Sequence, residues 1–239
     1  MKNIKSVVLI LAGSMIMSSC GSLSETAKGS LLGGGGGAAL GAIVGGLIGD
    51  GKGAAIGAGI GAAVGAGTGA IIGHKMDKAI EAAATIEGAE VEQVTDNNGL
   101  QAVKVTFDSG ILFSSGASTL STSAKTSLTD FANKVLKENP YMDVEIYGYT
   151  DNQGWKNSTA AQSKQKNMNL SQTRAQSVSA YLIACGVSQS QIKNIKGLGE
   201  DNPVADNTTA AGRQKNRRVE LYVFASSEMI RQAEEGTLQ

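Results

Sequence analysis

The chain has 239 residues, which leaves room for one ordinary domain of about 100 to 150 residues and some accessory segments. Its formal net charge is zero and its aromatic fraction is only 4%, and this composition argues against nucleic-acid binding and against a polybasic membrane patch. Nineteen of the 32 glycines fall between residues 29 and 73, so the glycine excess is local and the chain combines two kinds of sequence.

The first twenty residues have the composition of a secretory signal. Lys2 and Lys5 precede an apolar stretch, residues 7–17, which is too short to span a bilayer. The tetrapeptide MSSC that follows resembles the lipobox of bacterial lipoproteins, with Met where Leu is usual. This resemblance implies that a signal peptide of residues 1–19 is removed and that Cys20 carries the lipid chains. An ordinary cleaved signal followed by a chance cysteine is the alternative.

A glycine register follows a short lipidated linker, residues 20–30. From Gly33 to Gly73 a glycine occurs at every fourth position, which places eleven glycines on one ridge of a helix. Such a ridge lets another helix approach closely, as in the GxxxG packing of membrane helices. We therefore predict that residues 31–73 are a hydrophobic glycine-zipper segment.

A polar turn at residues 50–52 divides this segment into two arms. Each arm would reach roughly 28 to 31 Å as a helix at 1.5 Å per residue, close to the thickness of a bilayer core. The pattern predicts a helical hairpin that lies on or inserts in a membrane and oligomerises through its glycine faces. A flexible spacer is the alternative, because glycine costs about 1 kcal/mol per helical position relative to alanine.

The remainder has the periodicity of a globular α+β domain. Residues 74–100 are predicted to be a short helix, 75–84, and a polar linker, so the core is expected to begin near residue 101. Alternating apolar residues then predict strands, and apolar residues at helical spacing predict two helices between them. The predicted order is βαβαββ, with both main helices on one sheet face and the glycine-rich hairpin before the domain.

Five sequence blocks in this region resemble the OmpA C-terminal family. They stand in the family's order across residues 101–224, which leaves a C-terminal tail of residues 225–239. The blocks are ILFSSGASTL at 111–120, GYTD at 148–151, Asn167 with LSQTRA at 170–175, GLGEDNPVADN at 197–207 and GRQKNRRVE at 212–220.

The resemblance implies noncovalent binding of peptidoglycan through the diaminopimelate of its stem peptide. At the matching positions, Asp151 would take the ligand's ammonium group and Arg174 would hold a carboxylate in a bidentate contact. Thr150 and Asn167 would add neutral hydrogen bonds that fix the orientation of the ligand. A simple loop-to-helix salt bridge between Asp151 and Arg174 is the alternative.

The arginines of the GRQKNRRVE block, Arg217 and Arg218, are expected to brace the GYTD loop rather than to contact ligand. Two features depart from the family's pattern. Tyr149 stands where many members have histidine, and the stretch 155–166 is roughly eight residues longer than usual. We expect a solvated loop there, with contact between Trp155 and its neighbouring lysines and the glycan as the alternative.

No enzyme is predicted, because neither a nucleophile with a base nor paired carboxylates stand at a recognisable spacing. His74 is the only histidine, which removes histidine triads and multi-histidine metal sites, and no cofactor or metal is expected. The sequence thus predicts a lipoprotein of the outer membrane, anchored by its N-terminal lipid, that binds peptidoglycan in the periplasm and tethers the membrane to the wall. The alternative is a membrane-inserting or oligomerising glycine-zipper protein whose wall binding is secondary.

Overall fold

The computed structural model describes residues 66–96 and 99–238. The predicted hairpin arms, apart from the end of the second one, and the lipidation site Cys20 lie outside these residues. None of the helices within them is long and apolar enough to cross a membrane.

A five-stranded sheet in the order β1-β2-β5-β3-β4 forms the centre of the domain. The β3 and β4 strands run parallel, whereas the other neighbouring pairs are antiparallel. The strands are β1 (Ala89–Thr95), β2 (Gln101–Asp108), β3 (Met142–Gly148), β4 (Ile192–Gly197) and β5 (Arg218–Ala225).

The helices bury one face of this sheet. Val105, Ile146 and Leu221 alternate inward from three neighbouring strands and are fully buried in one continuous core. The helices are α1 (Ala66–Ala84), α2 (Ser109–Leu112), α3 (Thr122–Phe131) with a π-helical continuation (Ala132–Lys137), α4 (Ala160–Ala184), α5 (Ala210–Asn216) and α6 (Ser227–Glu234), with a 3-10 turn at Gln189–Gln191. The predicted α+β fold is confirmed, and the predicted βαβαββ order follows an additional first strand, β1.

The domain begins earlier than the sequence pattern indicates. Ile72, Met76, Ala79 and Ala83 are spaced by four, three and four residues along α1, and all four are fully buried in the core. This helix packs on β1 and β2. It starts inside the predicted glycine segment and ends at Ala84, where the predicted short helix ends. The prediction that the core begins near residue 101 is therefore wrong, because an amphipathic helix and a whole edge strand precede that point.

The predicted C-terminal tail is also partly structured. Ser226 caps the N-terminus of α6, where its side chain accepts a hydrogen bond from the backbone N–H of Met229. Met229, Ile230 and Ala233 are buried, and α6 packs against α1. The first and last helices of the described chain thus close the core together.

A pair of glycines brings α4 against the ends of β3 and β4. Gly148 and Gly197 face each other in the parallel register of these strands. A Cβ atom at Gly148 would collide with the carbonyl oxygen of Ser171, and one at Gly197 with the backbone nitrogen of Gln172. The absence of both side chains lets the backbone of α4 lie directly on the strand ends, beside the GYTD loop.

Candidate ligand-binding site

A cavity of about 640 Å³ opens where the GYTD loop, the loop after β2, the 155–166 stretch and α4 meet. The strand ends supply one wall and the N-terminal half of α4 supplies another. Its polar lining includes Ser109, Thr150, Asp151, Lys156, Asn167, Arg174 and Arg217. All four residues predicted to bind ligand therefore lie in one cavity, although the sequence separates them by up to 24 positions.

Asp151 is only 6% exposed and its carboxylate is held at both oxygens. Oδ1 accepts a hydrogen bond of 3.0 Å from the backbone N–H of Gln153, which fixes the loop after the strand. Oδ2 forms an ion pair of 2.5 Å with Nη1 of Arg217. The carboxylate is thus oriented by the loop and already balanced by one cation.

Arg174 lies on the face of α4 that packs on the strand ends and is 4% exposed. Its Nε donates a hydrogen bond of 2.9 Å to the carbonyl oxygen of Ala117, and its guanidinium lies 5.0 Å from the centre of the Phe113 ring. Burial and the neighbouring Arg217 lower the pKa of Arg174, whereas Asp151 raises it. A buried guanidinium with a lowered pKa gains most from a carboxylate that reaches its remaining N–H groups.

The predicted alternative, a salt bridge between Asp151 and Arg174, is not formed. Within residues 66–96 and 99–238, the ion-pair partner of Asp151 is Arg217. Two arginines and one aspartate therefore share the cavity, with Arg174 held by a backbone carbonyl and an aromatic ring.

Two buried hydroxyls add to the polar lining. The Oγ1 atom of Thr150 and the Oγ atom of Ser109 have no hydrogen-bond partner among the described residues. Thr150 and Ser109 are 5% and 2% exposed, so each hydroxyl has lost its hydrogen bonds to water. A hydrogen bond to a ligand oxygen would offset this desolvation. Ser109 was not predicted from the sequence, because nothing in its local pattern distinguishes it from a turn residue after a strand.

Asn167 forms hydrogen bonds within the protein. Its Nδ2 donates to the carboxylate of Glu200 at 2.9 Å and to the carbonyl oxygens of Asp151 and Gln153 at 3.3 Å. Its Oδ1 accepts a hydrogen bond of 2.7 Å from the indole N–H of Trp155. Both ends of the amide are engaged within the protein, and these contacts hold the loop. Contact between Asn167 and ligand stays a prediction.

Arg218 is part of a buried support beneath the GYTD loop. Its Nε forms an ion pair of 2.7 Å with Glu220, and both side chains are almost fully buried. The guanidinium also lies 3.7 Å from the centre of the Tyr149 ring and donates to the carbonyl oxygen of Asn202. Burial, with the charge of Glu220, raises the pKa of the Tyr149 phenol, so the residue that replaces histidine stays neutral and packs on Arg218.

Only the first part of the 155–166 stretch is a loop. Thr159 and Gln162 form a capping box, and α4 begins at Ala160, so the extra residues lengthen the helix at its N-terminus. An ion pair of 2.9 Å between Lys164 and Asp201 ties this extension to the turn after β4. The prediction of a solvated loop is thus wrong for the helical half, because capping and cross-chain contacts order it.

Within the described ranges, no three His, Cys, Asp or Glu side chains come together as a metal site. The cavity offers a carboxylate, guanidinium groups and hydroxyls, and these groups recognise a ligand by charge and hydrogen bonding.

Comparison with known proteins gives matches over both halves of the chain. Residues 112–217 match the OmpA family, and residues 1–77 match the YMGG-like Gly-zipper. The chain is similar to "Probable lipoprotein YiaD" of Escherichia coli K12, with 43% identity over 46% of each chain. It is also similar to "Peptidoglycan-binding protein ArfA" of Mycobacterium tuberculosis H37Rv, with 47% identity over 37% of this chain and 24% of that protein. These matches span less than half the length of either relative.

The fold is similar to that of a putative MotB-like protein from Desulfovibrio vulgaris. The TM-score is 0.52 with 23% identity, over 66% of this chain and 92% of that one. The likeness supports the α+β architecture of the described domain.

Proposed function

Since residues 112–217 match the OmpA family and residues 1–77 match the YMGG-like Gly-zipper, we propose that this chain is an outer-membrane lipoprotein that binds peptidoglycan noncovalently. The observation that carries the proposal is the cavity that combines Asp151, Arg174 and two unpartnered hydroxyls. The name of a relative at 47% identity, "Peptidoglycan-binding protein ArfA", supports the class of ligand.

The ligand group proposed for the cavity is the zwitterionic end of diaminopimelate in the stem peptide. It carries one ammonium and one carboxylate on a single carbon, so it needs an anion and a cation a few ångströms apart. Asp151 supplies the anion and Arg174 the cation, and both are buried enough for the contacts to escape screening by solvent. The hydroxyls of Ser109 and Thr150 would donate to ligand oxygens.

Before ligand binds, Arg217 occupies the position beside Asp151 that the ligand's ammonium group would take. Its side chain is 37% exposed, whereas that of Asp151 is 8% exposed, so the arginine can swing away at low cost while the carboxylate stays fixed. Ligand binding then exchanges one cation for another at Asp151 and leaves no buried charge unpaired.

The proposed place of action is the periplasmic side of the outer membrane. Lipid on Cys20 would anchor the chain, since multiple acyl chains hold a protein stably on a membrane. The name of the relative "Probable lipoprotein YiaD" supports this reading. Anchored at one end and bound to the wall at the other, the chain would tether the outer membrane to peptidoglycan.

Sedimentation with purified peptidoglycan tests the binding site. The full chain in detergent should sediment with peptidoglycan, and Asp151→Asn and Arg174→Gln should each abolish this. Asp130→Asn is the matched control, because Asp130 forms an exposed ion pair with Lys134 on α3 and should leave sedimentation unchanged. Sedimentation of both cavity variants at the wild-type level would refute the site.

Membrane flotation tests the anchor separately. Wild-type chain should float with outer-membrane vesicles, whereas Cys20→Ala should stay in the soluble fraction and still bind peptidoglycan. Flotation of the Cys20→Ala chain would show that another segment holds the membrane.

The glycine register supports a second proposal, self-association through the Gly-zipper segment. Detergent-resistant oligomers of the full chain, but not of residues 66–239, would support this reading. Identical oligomeric states for both would exclude it.

A further inference from the structure

The charges that line the cavity do not cancel. Among its described lining residues, Lys156, Arg174 and Arg217 are cationic, and Asp151 is the one carboxylate. The zwitterionic end of diaminopimelate has no net charge, so its binding would leave the excess of two positive charges unchanged. Lys156 is exposed and Arg217 is partly exposed, so this excess acts as a positive field at the mouth of the cavity and favours a ligand that brings at least one more anion.

Trp155, the neighbour of Lys156 in the lining of the cavity, is held by two hydrogen bonds. The backbone N–H of Trp155 donates to Oγ of Ser163 at 3.0 Å, and its indole N–H donates to Asn167 at 2.7 Å. Asn157 adopts the left-handed conformation, with a φ of 54°, and closes a turn just before the capped start of α4. Trp155 nevertheless stays 36% exposed, which is high for a large apolar side chain held so firmly.

We infer that Trp155 and Lys156 form a second subsite, which binds a further carboxylate of the stem peptide. This inference rests on the proposed function. Lys156 supplies the counter-charge, and the indole of Trp155 packs on the aliphatic atoms that carry the carboxylate. The subsite would add a preference for stem peptides whose backbone carboxylates are free rather than amidated.

The other two lysines of the stretch have their own contacts. Lys164 pairs with Asp201 on the far side of the turn. Lys166 donates to Oγ of Ser158 at 2.8 Å and lies 5.8 Å from the centre of the Trp155 ring. Both lie outside the cavity lining, which makes Lys156 the lysine that faces ligand and Lys164 a matched control.

The experiment compares three tripeptides of alanine, γ-linked glutamate and diaminopimelate. One has both backbone carboxylates free, the second is amidated at the glutamate α-carboxyl, and the third at the diaminopimelate carboxyl nearer the peptide bond. All three keep the zwitterionic end intact. Because Trp155 is the only tryptophan of the chain, its fluorescence reports binding to the full protein in detergent, with titration calorimetry as an independent measurement.

Wild-type protein should bind the unmodified peptide about fivefold more tightly than one of the amides, as expected for a partly exposed charge pair. Lys156→Gln should remove this preference, and Lys164→Gln should retain it. The amide that binds more weakly identifies which carboxylate occupies the subsite.

Equal binding of all three peptides by the wild type would overturn the subsite and leave the proposed function standing. A Lys156→Gln variant that weakens all three peptides by the same factor would also overturn it, because the lysine would then not sense the second carboxylate. Failure of the wild type to bind any of the three would refute the proposed function itself.

Discussion

Asp151 forms its ion pair with Arg217, at 2.5 Å, and not with Arg174, which lines the same cavity. The two cations that share the cavity with this carboxylate differ in burial. Arg217 is partly exposed and can be replaced by a ligand cation, whereas Arg174 is buried and anchored by Ala117 and Phe113.

This asymmetry predicts unequal effects of the two arginines on peptidoglycan binding. Arg174→Gln should weaken binding by about 2 to 5 kcal/mol, because a buried ligand carboxylate loses its partner. Arg217→Gln should change affinity much less, because it removes a competitor for Asp151 together with a nearby positive charge. Calorimetric titration with the unmodified tripeptide measures both, and equal losses would contradict the exchange of partners at Asp151.

The buried pair of Arg218 and Glu220 predicts a stability effect. Glu220→Gln should lower the free energy of unfolding by about 3 to 5 kcal/mol, because it leaves the Arg218 guanidinium buried without a counter-charge. Arg231→Gln is the control, since Arg231 forms exposed pairs on α6 and its loss should have no measurable effect. Urea unfolding measures the free energy of unfolding of both variants. Similar losses of stability in the two would show that the Arg218 pair is not a structural support.

The close approach of α4 to the strand ends predicts that Gly197 cannot be replaced. Gly197→Ala should destabilise the domain by about 1 to 3 kcal/mol or more and weaken peptidoglycan binding, because it pushes away the helix that carries Arg174. Gly69→Ala makes the same chemical change on α1, where no atom lies within 4 Å, and should stabilise the helix by about 0.5 to 1 kcal/mol. Thermal unfolding and sedimentation of both variants provide the comparison. Wild-type behaviour of Gly197→Ala would rule out the proposed backbone contact.

The burial of α1 predicts that the helix before residue 85 is needed for stability. Met76→Ala should cost about 2 to 5 kcal/mol, since its side chain is fully buried against the sheet. Lys78→Ala, on the exposed face of the same helix, should leave the urea midpoint unchanged. If both variants unfold at the wild-type midpoint, α1 is an appendage and not part of the core.

The burial of the Glu145 carboxyl predicts that the stability of the domain depends on pH. Burial raises the pKa of its carboxyl above the usual 4.5, while the hydrogen bond of 2.6 Å from the Tyr147 hydroxyl opposes this. The folded state thus favours the protonated form of Glu145. The stability that this carboxyl contributes is complete below the unfolded pKa and is lost as the pH rises through the folded pKa.

Glu145→Gln keeps a neutral acceptor for the Tyr147 hydroxyl and should be more stable than the wild type at about pH 7.5. The difference should shrink towards about pH 4. The pKa of Asp143 is also raised by burial, and the charge of Glu145 adds to this rise, so removing that charge in the variant acts in the same direction. Urea unfolding at the two pH values measures the difference in free energy of unfolding between the variant and the wild type. A difference that does not change with pH would contradict the raised pKa of Glu145.

The sequence by itself determined the features that are local or periodic. The lipobox-like tetrapeptide and the glycine register can be read along the chain, and alternation or helical spacing predicted every strand and main helix of the βαβαββ order. The five motif blocks placed Asp151 and Arg174 in one predicted site because they resemble those of the OmpA family and stand in its order.

Only the tertiary structure decided which groups meet. Asp151 pairs with a residue 66 positions away, and Ser109 lines the cavity just after the end of β2. The amide of Asn167 accepts a hydrogen bond from the indole of Trp155. The burial of α1 depends in the same way on a sheet formed later in the chain. Each of these contacts is fixed by how distant segments pack and by which polar groups must be paired once buried, and no local pattern in the sequence records that pairing.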